Sequence, residues 1–357
     1  MINHFIRTFF GIDMKVAVLC ETVQATQVIA YFFDQSQVHL DNQVCFDIHE
    51  WVELKKLDAS ERYQFLLDAE YLILSRWYSP DYVLQIIREA RKHSKRIYLH
   101  LDDYLFSVPR SIGIKKWQHY SSERMLEALY LAAELSDGII ASTDLLASQI
   151  KSILPKCPVF ILPYWRSFNP KNCPRRNSSK RSYPVVGYMG TQTHAEDLEL
   201  ILPDLDQLLD RNPALSFETF GLEMPKALSD KYPNRCSTLA KVESYEQFQS
   251  VLSSLGWWLG LAPLTENTFN HCKTNTKFVE YVQAGIPVLA SDFGPYANTP
   301  SITASPSVSD QWPWLVYIEK VLFSRKKRDL LFISQFEYCS QFSDSDLLVE
   351  FYRSIAA

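Results

Sequence analysis

Two charged side chains three residues apart, Lys277 and Glu280, lie in a segment whose pattern predicts a short helix. Thr274 and Asn275 are both acceptable N-caps, and Gly285 closes the helix before a proline that cannot continue it. Because residues three apart share one face of a helix, the cation and the carboxylate are neighbours. One interpretation is a surface ion pair on an ordinary amphipathic helix, and the other is that both charges face a ligand.

The start of this predicted helix is suited to hold a diphosphate. Backbone N–H groups without intrahelical partners and the positive end of the helix dipole attract anions there. Lys273 and Lys277 add positive charge, and Glu280, one turn deeper, can accept two hydrogen bonds from a ribose diol. The segment therefore predicts a site for a nucleoside diphosphate.

A second place for chemistry is the pair Asp102 and Asp103, which directly follows the apolar strand pattern of residues 97–101. Two adjacent carboxylates at a strand end are unfavourable to bury and useful for chemistry. In open parallel sheets, ligands lie beyond the carboxyl ends of the strands, where Arg76 also falls after the preceding strand. The pair therefore indicates a candidate reactive site, and the alternative is that Asp102 or Asp103 merely caps the following turn.

The turn at Gly190 and Thr191 follows a predicted strand at 185–189 and precedes an amphipathic helix. A glycine at such a turn lets a phosphate approach the backbone closely. No metal site is expected, because Asp204 and Asp206 have the spacing of a metal motif but lie within that helix. His194 has no partner at metal-ligand spacing and is expected to cap the helix or to bind a phosphate.

The elements around these residues alternate between strand and helix patterns, which is typical of parallel sheets covered by helices on both faces. A chain of 357 residues exceeds what one core usually supports, so two domains are expected. The predicted division is an extension (1–13), a first domain (14–165), a linker (166–183), a second domain (184–335) and a terminal helix (336–357). Strands are predicted at 16–19, 44–48, 71–74, 97–101, 138–141, 159–162, 185–189, 216–220, 257–262 and 286–290.

Composition limits the function further. A net charge of −5 gives no reason to expect a nucleic acid partner, and no apolar run reaches membrane-spanning length. Seven cysteines without C-x-x-C spacing argue against a disulfide framework and a zinc ribbon, so the cytoplasm is expected. Residues 1–13 are apolar and aromatic without the features of a signal peptide. They are expected to be a loosely attached extension; alternatives are a natural start at Met14 or a short interfacial segment.

The string NTKFVEYVQAGIPVLAS, residues 275–291, resembles the donor-binding helix and strand of retaining glycosyltransferases of family four, which have the GT-B fold of two Rossmann-like domains facing across a cleft. GYMGTQTH, residues 187–194, and the aspartate pair resemble a bacterial subset of that family. The resemblance departs at Cys272, where many members have a first glutamate. It also departs at Gln192 and His194, where many place an arginine and a lysine for the phosphates.

The resemblance implies a role for each candidate residue. Glu280 holds the ribose, and the donor-binding set is Gly190, Thr191, Lys273, Thr276, Lys277 and Glu280. Asp102 or Asp103 acts on the acceptor, and the terminal helix crosses back to the first domain. The sequence leaves open which of the two aspartates acts.

The expected function is a metal-independent, retaining glycosyltransferase. It moves a sugar from a nucleotide sugar to a glycan or lipid-linked acceptor in bacterial surface polysaccharide synthesis, without a cofactor. Peripheral contact with the inner membrane face is left open. The alternatives are a nucleotide-sugar epimerase of the same fold and, because of Cys272, a glycan-binding pseudoenzyme.

Overall fold

The first half of the chain forms a helix-covered parallel sheet. The computed structural model describes residues 14–23, 44–163, 181–301, 313–341, 351–352 and 354–355. The strands are β1 Met14–Cys20, β2 Val44–Glu50, β3 Tyr71–Ser75, β4 Arg96–Leu101, β5 Gly138–Ala141 and β6 Val159–Ile161. The helices are α1 Trp51–Leu54, α2 Phe65–Asp68, α3 Val83–Lys92, α4 Ile114–Tyr120, α5 Glu123–Leu135 and α6 Asp144–Ile153. The strand order is β2-β1-β3-β4-β5-β6, and every pairing is parallel.

The second half forms another parallel sheet with the order β11-β10-β7-β8-β9. Its strands are β7 Val185–Met189, β8 Ser216–Phe220, β9 Cys236–Leu239, β10 Leu259–Ala262 and β11 Val288–Ala290. Its helices are α7 Ala195–Glu199, α8 Leu202–Arg211, α9 Lys226–Lys231, α10 Tyr245–Ser254, α11 Thr268–His271, α12 Thr276–Gln283, α13 Pro313–Leu322 and α14 Arg325–Ser340. Strand β9 was not predicted from the sequence. It is a short edge strand in which only the first residue is buried, so it lacks an apolar run.

The parallel α/β architecture with two Rossmann-like halves is confirmed. The strands are apolar because helices cover both faces of a parallel sheet, which leaves few positions for polar side chains. Each sheet has an apolar cluster on either face. No helix in the described ranges is long and apolar enough to cross a membrane.

The end of the chain contacts the first sheet. Tyr352 and Ile355 are buried in the apolar cluster that contains Val16 and Val18 of β1. The Tyr98 hydroxyl donates to the Ile355 carbonyl at 2.7 Å. The predicted boundary at residue 336 falls inside α14, whose Phe332 and Cys339 are buried against the second sheet. The predicted extension 1–13, most of the predicted linker 166–183 and part of 336–357 lie outside the described residues.

Candidate functional site

The carboxyl ends of both sheets open into one cleft between the two domains. Its volume is about 700 Å³, and residues from both halves line it. The structure brings all the predicted site residues to this cleft, namely Asp102, Asp103, Gly190, Thr191, Lys273, Thr276, Lys277 and Glu280. The cleft therefore joins two candidate sites that lie far apart in the sequence.

Helix α12 is held in place by Tyr281, and Gly285 follows its C-cap residue Ala284. The Tyr281 hydroxyl accepts from the Met189 amide at 2.9 Å and donates to the Leu261 carbonyl at 3.1 Å. The helix reaches this depth because Gly260 of β10 has no side chain, and a Cβ there would lie 2.6 Å from the Tyr281 ring. Gly285 has φ +76°, which suits a residue that ends a helix.

The N-terminus of α12 carries the positive charge of the second-domain wall. Asn275 is the N-cap, but its side chain makes no capping hydrogen bond. Lys277 Nζ donates to the Tyr188 hydroxyl at 3.2 Å and lies 4.4 Å from the centre of that ring. Burial lowers the pKa of Lys277 to about 8; Lys273 adds to this effect, and the carboxylates of Asp197 and Glu280 oppose it. The helix end therefore offers amide donors and a lysine whose protonated form a bound anion would stabilise.

Glu280 lies one turn into the helix, and Lys277 and Glu280 have different partners. Glu280 Oε1 accepts from the Tyr245 hydroxyl at 3.0 Å. Lys277 donates to Tyr188 on the other side. Both charged side chains line the cleft, which favours contact with a ligand over the surface ion pair considered from the sequence.

An aromatic stack lies beside Glu280 and was missed from the sequence. The Phe220 and Phe248 ring centres are 5.3 Å apart at 14°, and the Tyr245 and Phe248 centres are 5.8 Å apart at 28°. All three rings line the cleft. Phe220 ends β8 and the other two belong to α10, so only the arrangement of strands brings them together. Such a surface can hold a flat heterocyclic ring by apolar contact and stacking.

His194 and Asp197 form a hydrogen-bonded pair near the Gly190 turn. His194 Nδ1 lies 2.8 Å from Asp197 Oδ2, and Asp197 Oδ1 accepts from the Thr265 amide at 2.9 Å. Burial, Lys277 and Lys273 lower the pKa of His194 to about 3, so the ring is neutral near pH 7 and donates from Nδ1. Although burial opposes it, the hydrogen bond from His194 contributes to lowering the pKa of Asp197 to about 2. Asp197 was not predicted; its i, i+3 spacing from His194 was the available signal.

Arg76 organises the first-domain wall of the cleft. Its Nε donates to Asp102 Oδ1, and its Nη2 donates to Asp103 Oδ2 at 2.6 Å. Arg76 follows β3 with φ +49°, a left-handed conformation that directs the side chain toward the end of β4 at a cost in backbone strain. Burial opposes the charge on Arg76, yet the two carboxylates raise its pKa above the ordinary value. Both carboxylates thus bind a guanidinium, which differs from the turn-capping alternative.

Helix α11 joins the two domains beside the cleft. Its Phe269 and the following Cys272 are buried among side chains of the first domain. The Thr143 hydroxyl donates to the Cys272 carbonyl at 2.9 Å and also caps α6 by accepting from the Leu146 amide. Burial raises the pKa of the Cys272 thiol to about 11. Cys272 therefore packs between the domains and does not line the cleft.

Metal ligands are not assembled in the described residues, where no group of three or more histidine, cysteine, aspartate or glutamate side chains could hold an ion.

Comparison with known proteins identifies the fold. No family model matches the chain, and no curated protein matches it in sequence. Among solved structures, an alpha-glucosyltransferase in complex with UDP and a 13-mer DNA is similar at a TM-score of 0.66 and 13% identity, covering 96% of this chain and 99% of that chain. Sucrose-phosphate synthase from Thermosynechococcus elongatus is similar at 0.64 and 12%, covering 96% and 99%. A trehalose-6-phosphate synthase is similar at 0.60 and 11%, covering 95% and 98%. The chain has the GT-B fold of these enzymes over nearly its whole length.

Proposed function

We propose that the protein is a glycosyltransferase that moves a sugar from a nucleotide-sugar donor to an acceptor hydroxyl. The main support for this proposal is that one cleft between the domains holds both a cationic helix end with Glu280 and the carboxylates of Asp102 and Asp103. One wall suits an anionic donor, and the other suits a hydroxyl group.

The donor lies on the second-domain wall in this proposal. Its diphosphate takes the amides at the start of α12, the backbone at Gly190 and Thr191, and the ammonium groups of Lys273 and Lys277. Glu280 accepts from the ribose diol while Tyr245 orients it. The base stacks on the aromatic side chains next to Tyr245. Thr276 lines the same wall, and its hydroxyl donates to a phosphate oxygen of the donor.

The chemical step is the departure of the nucleoside diphosphate from the sugar. Negative charge grows on the leaving oxygen, and fixed amides and lysines stabilise it without reorganisation. These groups supply the positive charge from the protein itself, so we propose a metal-independent reaction without a cofactor. The acceptor oxygen bonds to the sugar carbon that the diphosphate leaves, and Asp103 or Asp102 orients the acceptor hydroxyl and takes its proton. We propose retention of the donor linkage on the resemblance of residues 275–291 to the retaining family.

The comparisons bear on the substrates in a limited way. The similar alpha-glucosyltransferase contains UDP, which supports a nucleotide donor. Its structure also contains DNA, so the fold does not support the exclusion of nucleic acid that the net charge of −5 suggested. We propose a glycan or lipid-linked acceptor in bacterial surface polysaccharide synthesis, again on the resemblance. The proposed place of action is the cytoplasm.

The surface of α13 and α14 supports peripheral membrane contact. Val316, Phe323, Leu330 and Ile333 are each more than half exposed, and Lys326 and Lys327 are exposed beside them. Apolar side chains among cations complement an anionic lipid surface. Binding to phosphatidylglycerol vesicles that is lost in Phe323→Ser with Leu330→Ser supports this contact, and equal binding by that double variant overturns it.

Incubation with labelled nucleotide sugars tests the function. The protein is supplied in turn with UDP-, GDP-, dTDP- and CMP-sugars, together with a mixture of glycan and lipid-linked acceptors. Label transferred to an acceptor supports the proposal. Conversion of the donor sugar without transfer indicates an epimerase instead, and nucleotide binding with neither reaction indicates a glycan-binding pseudoenzyme.

A further inference from the structure

His194 is held in place on the second-domain wall by three contacts. Its side chain packs on the Gly190 turn, where a Cβ added at Gly190 would lie 3.3 Å from His194 Cβ and 3.6 Å from Cδ2. Its Nδ1 lies 2.8 Å from Asp197 Oδ2. The Tyr188 hydroxyl donates to the His194 carbonyl at 3.1 Å, which holds the backbone as well. The ring therefore has a fixed orientation, and its remaining polar atom is Nε2.

The Nε2 atom of His194 opens into the cleft. His194 lines the cleft, and 25% of its side chain is exposed, against 7% for Asp197. In the part of the chain that the structure describes, Nε2 has no hydrogen-bond partner, and it is not enclosed by protein atoms. Because Nδ1 faces Asp197 and Cδ2 faces the Gly190 turn, the exposed edge of the ring is the one that carries Nε2.

Asp197 determines which kind of group Nε2 can bind. Its Oδ1 accepts from the Thr265 amide at 2.9 Å, and its pKa of about 2 keeps the carboxylate ionised. An ionised carboxylate only accepts hydrogen bonds, so Nδ1 of His194 carries the ring proton. The pKa of His194, lowered to about 3 by burial and by the two lysines, keeps a second proton off the ring near pH 7. Nε2 can therefore accept from a hydroxyl, whereas an ionised phosphate oxygen has no proton to give it.

The strand order indicates which part of the donor reaches Nε2. Strand β7, which leads into the Gly190 turn, lies between β8 and β10. The aromatic stack proposed for the base lies on the β8 side, because Phe220 ends β8. The hydrogen bond from Thr265 to Asp197 brings the histidine pair to the β10 side, since Thr265 follows β10. With the base toward β8 and the diphosphate at the turn, the sugar extends toward β10 and the histidine.

We propose that His194 is a specificity-determining residue whose Nε2 accepts a hydrogen bond from a hydroxyl of the transferred sugar, with Asp197 as its positioning residue. This proposal rests on the glycosyltransferase function and deepens it by naming a group that recognises the sugar. His194 then does not bind the diphosphate, which differs from the phosphate contact considered from the sequence. The charge on the diphosphate is left to Lys273 and Lys277.

Affinity measurements on the full-length protein test this role. UDP-glucose, UDP-galactose, UDP-N-acetylglucosamine, GDP-mannose and dTDP-rhamnose are each compared with the corresponding nucleoside diphosphate by isothermal titration. His194→Leu should keep the affinity for the nucleoside diphosphate and weaken that for the matching nucleotide sugar about fivefold, the loss expected for one neutral hydrogen bond. His194→Gln, whose amide oxygen can replace Nε2 as the acceptor, should recover most of this affinity. His271→Leu changes a partly exposed histidine outside the cleft lining and should alter neither affinity.

Asp197→Asn tests the tautomer with a change of nearly the same shape. The Thr265 amide requires an acceptor, so the oxygen of the introduced amide faces Thr265 and its NH₂ group faces His194 Nδ1. Nδ1 then accepts, and the ring proton moves to Nε2, which becomes a donor. This variant should lose nucleotide-sugar affinity as His194→Leu does, without weaker binding of the nucleoside diphosphate. The two substitutions combined should lose no more than either alone, because they remove the same hydrogen bond.

The outcomes separate this proposal from the proposed function. Equal losses for the nucleoside diphosphate and the nucleotide sugar in His194→Leu overturn it, because His194 then serves the diphosphate. Unchanged affinity for every nucleotide sugar also overturns it. Should His194→Leu not fold, the same comparison of His194→Gln with Asp197→Asn decides, and equal nucleotide-sugar affinity in both overturns the proposal. If the wild-type protein binds no nucleotide and no nucleotide sugar, the proposed function fails and the sugar contact with it, whereas nucleotide binding persists in the other overturning outcomes.

Discussion

The two walls of the cleft handle charge in opposite ways. On the first-domain wall, Arg76 binds Asp102 and Asp103, so the charges are paired within the protein. On the second-domain wall, Lys277 has a hydroxyl partner in Tyr188, and Lys273 lies over the ring of Phe269 at 5.1 Å. One sheet thus ends in two carboxylates that share one guanidinium, and the other ends in two ammonium groups whose direct contacts are a hydroxyl and an aromatic ring.

This difference indicates what each wall is built to receive. Carboxylates held by a guanidinium keep their geometry when the cleft is empty and can orient a neutral hydroxyl. Partial burial holds the Lys277 ammonium at an electrostatic cost that Asp197 and Glu280 offset only in part, and an anionic ligand lowers that cost further. The walls should therefore respond differently to substitution: the first through the rate of transfer, the second through donor affinity.

The largest expected effect is on the first-domain wall. Asp103→Asn should lower the transfer rate about a hundredfold or more with normal nucleotide affinity, because the defect lies in the chemical step. Asp103 is the more exposed of the pair, 19% against 11% for the Asp102 side chain. Asp102→Asn should chiefly lower Tm, because it removes a partner of a charged arginine. Measurements of Tm, nucleotide affinity and transfer rate decide between the two residues.

Asp81→Asn is the control for the aspartate pair, because Asp81 binds Arg124 on the surface of the same domain. It should leave the transfer rate unchanged. If Asp103→Asn and Asp102→Asn are both stable and transfer at the wild-type rate, the pair has no catalytic role. The proposal that the first-domain wall acts on the rate of transfer is then wrong.

The next effect is on the second-domain wall. Glu280→Gln should weaken nucleotide binding about tenfold to a hundredfold, since hydrogen bonds to charged groups contribute roughly 1.5–3 kcal/mol. The fold should be retained, because the Glu280 carboxylate faces the cleft and not the core. Isothermal titration with UDP measures the affinity, and Glu246→Gln, an exposed change on α10, serves as the control. Unchanged affinity in Glu280→Gln would remove the ribose assignment.

The elements that the sequence predicted are those whose signals are local. The strand endings that bring Asp102, Asp103 and Gly190 to the cleft follow from apolar runs interrupted by polar residues. Helix α12 follows from Asn275 as its N-cap and Gly285 just after its end. A short-range pattern was sufficient at these positions, because one element carries the whole signal.

The features that were missed depend on distant segments. Phe220 and Phe248 stack because β8 and α10 are neighbours in space, and β9 between them had too weak a pattern to reveal this. The close packing of Gly260 against Tyr281 shows why a glycine is needed there, yet no local rule marks it. Arg76 lay at a predicted strand end, but its contact with both aspartates required the order of β3 and β4.

The smallest expected effect is a dependence of donor affinity on pH, which tests the second-domain wall alone. Burial lowers the pKa of Lys277 to about 8, so the free protein holds the ammonium form below that pH and loses it above. If a diphosphate binds the ammonium form, donor affinity should be nearly constant up to pH 7. It should then weaken by about tenfold between pH 7 and pH 9, because the charged fraction of a group with a pKa of about 8 falls from about nine-tenths to about one-tenth over that range.

Two variants test whether Lys277 causes this pH dependence. Lys277→Gln should bind UDP more weakly at pH 7 and show no decrease attributable to a group with a pKa near 8. Lys231→Gln, which removes a surface partner of Asp206, should keep the wild-type profile. Titrations of wild type and both variants at pH 7, 8 and 9 measure this. If the affinity of the wild type varied with pH as little as that of Lys277→Gln, the Lys277 ammonium group would not bind the donor diphosphate. The second-domain wall would then not use Lys277 to hold an anion.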